Sequence, residues 1–229
     1  ATYTITPVSA AGCEGDAETV VIKVNPFPVL ADGLGDTICS GSTTNIALSL
    51  SSTSINAVTF TWPAPTPSST GLIGPGVGNS ISVPSGVSGQ PFIRDQWTNI
   101  TNAPQYAEYY VRPIGDAATG GCIGDPDTVT VFVDHEPVLK SNWPDQICSS
   151  DPTVNLNLVS PTLLNPIFNP FPFTGVWERW MGSSWTVVSG VQTVSNGDQF
   201  RYTYTFTTTG CFTTLTETVN LEDSPTMTA

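Results

Sequence analysis

Residues 12–30, GCEGDAETVVIKVNPFPVL, lie over residues 121–139, GCIGDPDTVTVFVDHEPVL, without a gap at an offset of 109. The same offset carries Cys39 in DTICSG onto Cys148 in DQICSS. A shorter and more diverged copy follows as GCFTTLTETVNLEDSP at 210–225. Ahead of each Gly-Cys stands an alternating aromatic stretch: YTITP (3–7), YYVRP (109–113) and YTYTF (202–206). Self-similarity at a fixed period means that each copy is one structural unit stacked on its neighbours. A unit therefore runs from an Ile-Cys-Ser start through several strands to the Gly-Cys turn, a last Val/Thr strand and a Pro-containing linker. By that reading residues 1–30 are the last strands and linker of an upstream unit, and 31–139 and 140–229 are two whole units.

The units are built of strands. Thr, Ser, Val and Asn are abundant, only 11% of residues are charged, and 20 Gly and 20 Pro punctuate the chain, a composition that favours strand and turn over helix. Alternation predicts strands near 43–50, 56–62, 79–84, 106–113 and 127–133 in the first whole unit. In the second it predicts strands near 153–159, 173–181, 184–189, 191–195, 199–208 and 213–221. Short strands bounded by Gly/Pro/Asn/Asp clusters make an all-β fold of β-sandwiches in an elongated tandem array. The Pro-rich stretch 63–78 reads as an extended loop or edge strand.

Charge and motif content exclude several functions. Nineteen acidic against six basic residues give a formal charge of −13, which repels phosphate backbones, so no nucleic-acid partner is expected. No apolar run approaches the roughly 18 residues of a membrane span, and no direct membrane insertion is expected. The only histidine, His135, falls in the linker VDHEPVL, where exposure is the expectation. No Cys/His spacing completes a zinc site around it, and no Gly-x-Ser-x-Gly elbow accompanies it. The chain reads as non-catalytic.

Five cysteines allow two regular pairings. Pairing across the linkers gives Cys13–Cys39 and Cys122–Cys148; pairing within units gives Cys39–Cys122 and Cys148–Cys211. If the first strand of a sandwich starts at the pole to which its last turn returns, the within-unit pairs are close. The cross-linker pairs are then separated by a full strand, ~23 Å, against the ~5.5–6 Å that a disulfide bridges. The expectation is Cys39–Cys122 and Cys148–Cys211, in an oxidising extracellular setting, with the partner of Cys13 outside these residues.

Taken together, DTICSGSTTNIALSL (36–50), VTFTW (58–62), WTNITNAPQYAEYYVRPIGDAATGGC (97–122), DTVTVFVDHEPVL (127–139) and YTITPVSAAGCEGDAETVVIKVNPFPV (3–29) resemble the PKD-like repeats of very large surface proteins of gliding and biofilm-forming Bacteroidota. The likeness is stronger over 1–139 than over 140–229. It implies immunoglobulin-like sandwiches, secretion by the type IX system, and a structural place in a giant adhesin or filament of the gliding kind. It implies neither catalysis nor a cofactor. Expected partners are neighbouring repeats of the same polypeptide, surface polysaccharide or other cell-surface proteins. Residues 1–30 complete a domain either in the same polypeptide or, as a donor strand, in another molecule.

Individual residues refine these expectations. Trp62 and Trp177 follow the Ile-Cys-Ser cysteines at matching places and read as core. Trp180 and Trp185, in GVWERWMGSSW with FNPFPF nearby, read as an exposed patch for glycan or for a neighbouring unit; with the loop 63–78 they would make a carbohydrate-binding module. Asp125 and Asp127 in GDPDT offer a start on calcium's six to eight oxygens, though turn formation explains them as well. On the family likeness, Thr37 in Asp-Thr-Ile and Thr128 in Asp-Thr-Val match an O-glycosylation pattern of such bacteria. Asn99-Ile100-Thr101 is a formal N-glycosylation sequon.

Overall fold

A computed structural model of the chain describes residues 1–51, 57–82, 91–115, 121–164, 172–223 and 225. These residues are all strand, bridge and turn, with no helix among them. An N-terminal hairpin of β1 (Thr2–Ile5) and β2 (Glu18–Val21) comes first. It is followed by β3 (Gly35–Cys39), β4 (Ile46–Ala47), β5 (Ala57–Trp62), β6 (Thr66–Pro67), β7 (Leu72–Ile73), β8 (Asn79–Ser82), β9 (Phe92–Ile93), β10 (Thr98–Asn99), β11 (Gln105–Gly115) and β12 (Asp127–Asp134). The second body holds β13 (Leu139–Lys140), β14 (Ile147–Cys148), β15 (Thr153–Asn155), β16 (Thr162–Leu163), β17 (Phe173–Trp180), β18 (Trp185–Val188), β19 (Val191–Thr193), β20 (Gln199–Phe206), β21 (Phe212–Thr218) and β22 (Leu221–Glu222). The predicted strands fall on these, except that positions 56, 83 and 84 lie outside the described residues.

Two cores sit side by side along the chain. The first is sandwiched between the sheet β3-β12-β11-β5-β8 and the short pairs β4–β9 and β7–β10. Alternation decides what enters it: Val129, Val131 and Val133 on β12 and Ala107, Tyr109 and Val111 on β11 are fully buried, while Thr128 and Phe132 face outward. The second core lies under the sheet β18-β17-β20-β21, with β15–β19, β13–β16 and β14–β22 opposite. Here β20 points Phe200, Tyr202, Tyr204 and Phe206 inward. Gly175 on β17 is required because the Tyr202 ring crosses the space that a Cβ would fill. This is the immunoglobulin-like sandwich expected of the sequence. Leu30 is buried in the first core and Leu139 packs on the second, so the leucine that ends each linker anchors in the body that follows it.

Trp62 and Trp177 are core residues, as expected. Around Trp62 the first core closes on a polar relay. The Trp97 Nε1–H donates to the Tyr109 hydroxyl at 2.8 Å, which donates to Asp95 Oδ2 at 2.8 Å. Burial, before all else, pushes the Tyr109 hydroxyl far above its ordinary pKa, so it stays a donor.

The N-terminal hairpin has the register of β11–β12. Tyr3 opposes Val20 and Ile5 opposes Glu18, just as Tyr109 opposes Val129 and Val111 opposes Asp127. Burial differs completely: Tyr109, Val111, Val129 and Val131 are at 0%, whereas their counterparts Tyr3, Ile5, Val20 and Ile22 are 53, 54, 43 and 48% exposed. The hairpin thus repeats the register of a closing strand pair, with the positions that are inward on β11–β12 exposed.

Tyr109→Phe should lower the unfolding free energy by ~1–3 kcal/mol, because it strips the acceptor from the buried Trp97 N–H. Tyr110→Phe, on the outer face of the same strand, should change it by less than ~0.5 kcal/mol. Denaturant midpoints of the two variants test this; equal losses would contradict it.

Candidate functional site at the joint between the two bodies

The two bodies are covalently joined. Cys39 is bonded to Cys211, with Cα atoms 5.4 Å apart and 172 positions between them in sequence. This corrects the expected pairs Cys39–Cys122 and Cys148–Cys211: Cys13, Cys122 and Cys148 are free thiols. The reason is strand direction. β3 pairs with β12 in parallel, bringing Cys39 opposite Asp134. Cys39 therefore leaves the sheet at the end where β12 finishes, and the β11–β12 turn that carries Cys122 lies at the other end. A bond between them would have to cross the eight residues of β12, some 25 Å at ~3.3 Å per residue. The Gly-Cys turn of the second body, between β20 and β21, instead points back at the pole where Cys39 emerges.

Polar and aromatic contacts surround the bond. Asp134 is 3% exposed. Its Oδ2 accepts from the Thr209 hydroxyl at 2.7 Å, its Oδ1 from the His135 backbone N–H at 2.9 Å, and its carbonyl from Ser40 N–H at 2.9 Å. His135 is fully buried, which corrects its expected place in an exposed linker. Its ring packs on Phe206 at 5.3 Å between centroids, with Nδ1 3.1 Å from Asp134 Oδ1. The start of the linker is buried because the second body closes over it, while Glu136 and Val138 stay exposed. Burial on its own would raise the Asp134 carboxyl, but the approach of the His135 side chain, the Thr209 hydroxyl and the His135 N–H outweighs it and holds the group below the ordinary carboxylate value. Gly210 adopts φ +74°, a left-handed turn that side chains resist, and the turn closes through Phe206 N–H to Cys211 O at 2.8 Å. None of Asp134, Phe206 and Thr209 stands out in sequence; only an acidic or amide residue recurring at matching places of the repeat, as Asn25 and Asp134 do, hints at them.

The remaining candidates lie elsewhere. Trp180 and Trp185 face one another across β17–β18, with rings 5.4 Å apart. Trp177, three residues earlier, points into the core, so the hairpin sorts one tryptophan inward and two outward. Trp180 is 37% exposed, and Trp185 carries the Arg201 guanidinium over its ring at 4.6 Å, itself paired to Glu178 at 2.7 Å. The stretch 63–78 is tied to the first body by β6–β11 and β7–β10, apart from the tryptophans; residues 168–171 of FNPFPF lie outside the described residues. A cavity of about 250 Å³ beside Trp177 is lined by Ser160, Gly175, Val187, Ser189 and Tyr202.

Thr37 and Thr128 are both exposed strand residues, and the N–H of each is held by the carboxylate of the preceding aspartate at 2.9 and 2.7 Å. Asp125 and Asp127 are exposed beside the linker; among the described residues no group of three or more His, Cys, Asp or Glu could hold a metal. Asn99 is 4% exposed, and its Nδ2 donates to Ala103 O and Val133 O, so the sequon is structural.

Comparison with known proteins places the N-terminal hairpin and the first body. A family model described as the PKD-like domain matches residues 1–28 and 36–137. Among solved structures that match is the crystal structure of chicken CNTN1 FN1–FN3 domains, at 10% identity and a TM-score of 0.37, covering 96% of this chain and 75% of that one; likeness at that level carries no functional weight. No curated protein matches.

The depressed Asp134 carboxyl fixes the sign of a pH effect. Its stabilising contribution is complete above the ordinary carboxylate pKa of ~3.9 and is lost as pH falls through its lower folded value. Between about pH 6 and pH 2, the second body of the wild type should lose more stability than that of Asp134→Asn, which cannot titrate. Parallel pH profiles of the denaturant midpoint would contradict the assignment.

Proposed function

Because the chain belongs to the PKD-like domain family, we propose that it is a non-catalytic stalk segment of a large secreted cell-surface protein, an adhesin or filament of the kind used in gliding. Its role is mechanical: to hold a binding tip away from the surface without lengthening under load. The observation that carries this reading is the Cys39–Cys211 bond. Tension applied at the two ends runs through residues 1–39, across the disulfide, and out through residues 211–229. Everything from 40 to 210, most of both bodies, is bypassed. A bond inside each sandwich would shield only that sandwich and leave the joint to carry load through noncovalent contacts.

Several features support the same reading. A disulfide that closes a loop this long is a feature of oxidising, extracytoplasmic settings, and in the chain-entropy model it is worth about 5 kcal/mol. The exposed apolar side of the N-terminal hairpin fits the body of a preceding unit of the same polypeptide, since the same positions of β11–β12 are buried by theirs. A charge of −13 keeps parallel stalks apart. On this reading Thr37 and Thr128 are exposed sites for O-linked sugar, and export follows the type IX route.

A second reading rests on the outward Trp180–Trp185 pair, a platform on which a surface polysaccharide could stack. Trp180→Ala should abolish retention on such a polysaccharide if that is its role, with thermal stability unchanged.

Pulling the chain by its termini tests the stalk. Oxidised, it should show no unfolding step from residues 40–210. Reduction should release about 600 Å of additional contour length at full extension. Equal extension before and after reduction would refute the mechanical role.

A further inference from the structure

The joint that closes Cys39 onto Cys211 has two halves, and each half occurs again, open, elsewhere in the chain. The first half is the pole of a body. Around Cys39 it consists of Ile38 opposite Val133, Cys39 opposite Asp134, Ser40 N–H to Asp134 O at 2.9 Å, and Ser42 N–H to Cys39 O at 3.0 Å. Around Cys148 the same framework is present: Ile147 opposite Leu221, Cys148 opposite Glu222, both in a parallel pair, Ser149 N–H to Glu222 O at 2.8 Å, and Asp151 N–H to Cys148 O at 3.1 Å. Ile38 and Ile147 are each 8% exposed. An acid stands beside each cysteine. Cys39 is engaged, whereas Cys148 is an exposed free thiol.

The second half is the Gly-Cys turn. Phe206 N–H donates to Cys211 O at 2.8 Å, Gly115 N–H to Cys122 O at 2.8 Å, and Ser9 N–H to Cys13 O at 2.9 Å. The glycine before each cysteine has positive φ, at +74, +58 and +83°. The turn bearing Cys122 also packs on the linker before its own body, as the turn of Cys211 does: Gly124 lies so close against the Pro28 carbonyl that a Cβ there would collide with it.

We propose that Cys148 and Cys122 are open halves of further joints of this kind, so that each body is disulfide-bonded to the next. Cys148 takes the Gly-Cys cysteine of a following PKD-like unit, and Cys122 takes the Ile-Cys-Ser cysteine of a preceding one. The proposal rests on the stalk reading above. The resulting loops overlap, because the loop opened at Cys148 begins before the one closed at Cys211 ends, and the array becomes one continuous covalent ladder along the line of tension. Formation is balanced thiol–disulfide exchange. The Cys148 thiolate attacks a small-molecule disulfide and expels one thiol; the incoming cysteine thiolate then displaces the second, so that the oxidant accepts two electrons and the two protein thiols lose their protons.

The test appends to the full chain, after residue 229, a second copy of residues 140–229 carrying Cys148→Ser, oxidised with a glutathione redox buffer. Mapping without reduction should find Cys39 bonded to Cys211 and Cys148 bonded to the Gly-Cys cysteine of the added copy. Cys39–Cys211 formed with Cys148 still alkylatable would overturn the ladder and leave the stalk reading intact. Absence of Cys39–Cys211 itself would bring down both. Should the added copy fail to fold, Cys39→Ser in the unextended chain decides: Cys148 and Cys211 should both remain free thiols, and a bond between them would overturn the proposal.

Discussion

Five residue pairs between β3 and β12, all parallel, determine where this chain's covalent chemistry can occur. A first strand that paired antiparallel with the last one would leave its cysteine near the turn that precedes that last strand, and each sandwich would close on itself. Parallel pairing moves the cysteine the length of β12, to the pole from which the linker departs. There the nearest cysteine belongs to another body. The sandwich cores, the relay through Trp97, Tyr109 and Asp95, and the inward aromatics of β20 all hold that geometry rigid, but none of them decides which body a cysteine meets.

The contacts around the bond follow from this placement. Once the turn of the second body lies over the pole of the first, Asp134 and His135 at the start of the linker are closed off from water, and their polar groups need partners. Asp134 finds the Thr209 hydroxyl and the His135 N–H, and the imidazole lies on Phe206. A linker of this kind differs from a flexible tether: its bending is resisted by a buried aromatic contact, a buried carboxylate and a disulfide at once. Stiffness of the joint and shielding of the bodies from tension are two consequences of one strand direction.

Much of this was legible in the sequence. The ungapped match of 12–30 to 121–139 located both last strands and both linkers, and alternation located β5, β11, β12, β17, β18, β20 and β21. The core roles of Trp62 and Trp177 followed from their distance to the cysteines. What the repeat could not convey was direction, because an alternating strand such as GDTIC looks the same whether it pairs parallel or antiparallel. The disulfide pairs were misassigned on that single point. His135 was misplaced for a related reason: in sequence its neighbours are a linker, and only the docking of Phe206, 71 positions away, buries it. Trp180 and Trp185 share the outer face of the β17–β18 hairpin, since a hairpin cannot point three tryptophans at spacing 177, 180 and 185 into one core.

The cross-body bond can be tested directly, because the six basic residues, at 23, 94, 112, 140, 179 and 201, with the Arg112–Pro113 bond resistant to trypsin, place each cysteine on a different tryptic peptide. Digestion of the oxidised chain without reduction, with thiols blocked, should release residues 24–94 linked to residues 202–229 and leave the peptides of Cys122 and Cys148 unlinked. Residues 24–94 linked to 95–140, or 141–179 linked to 202–229, would contradict the account at its foundation.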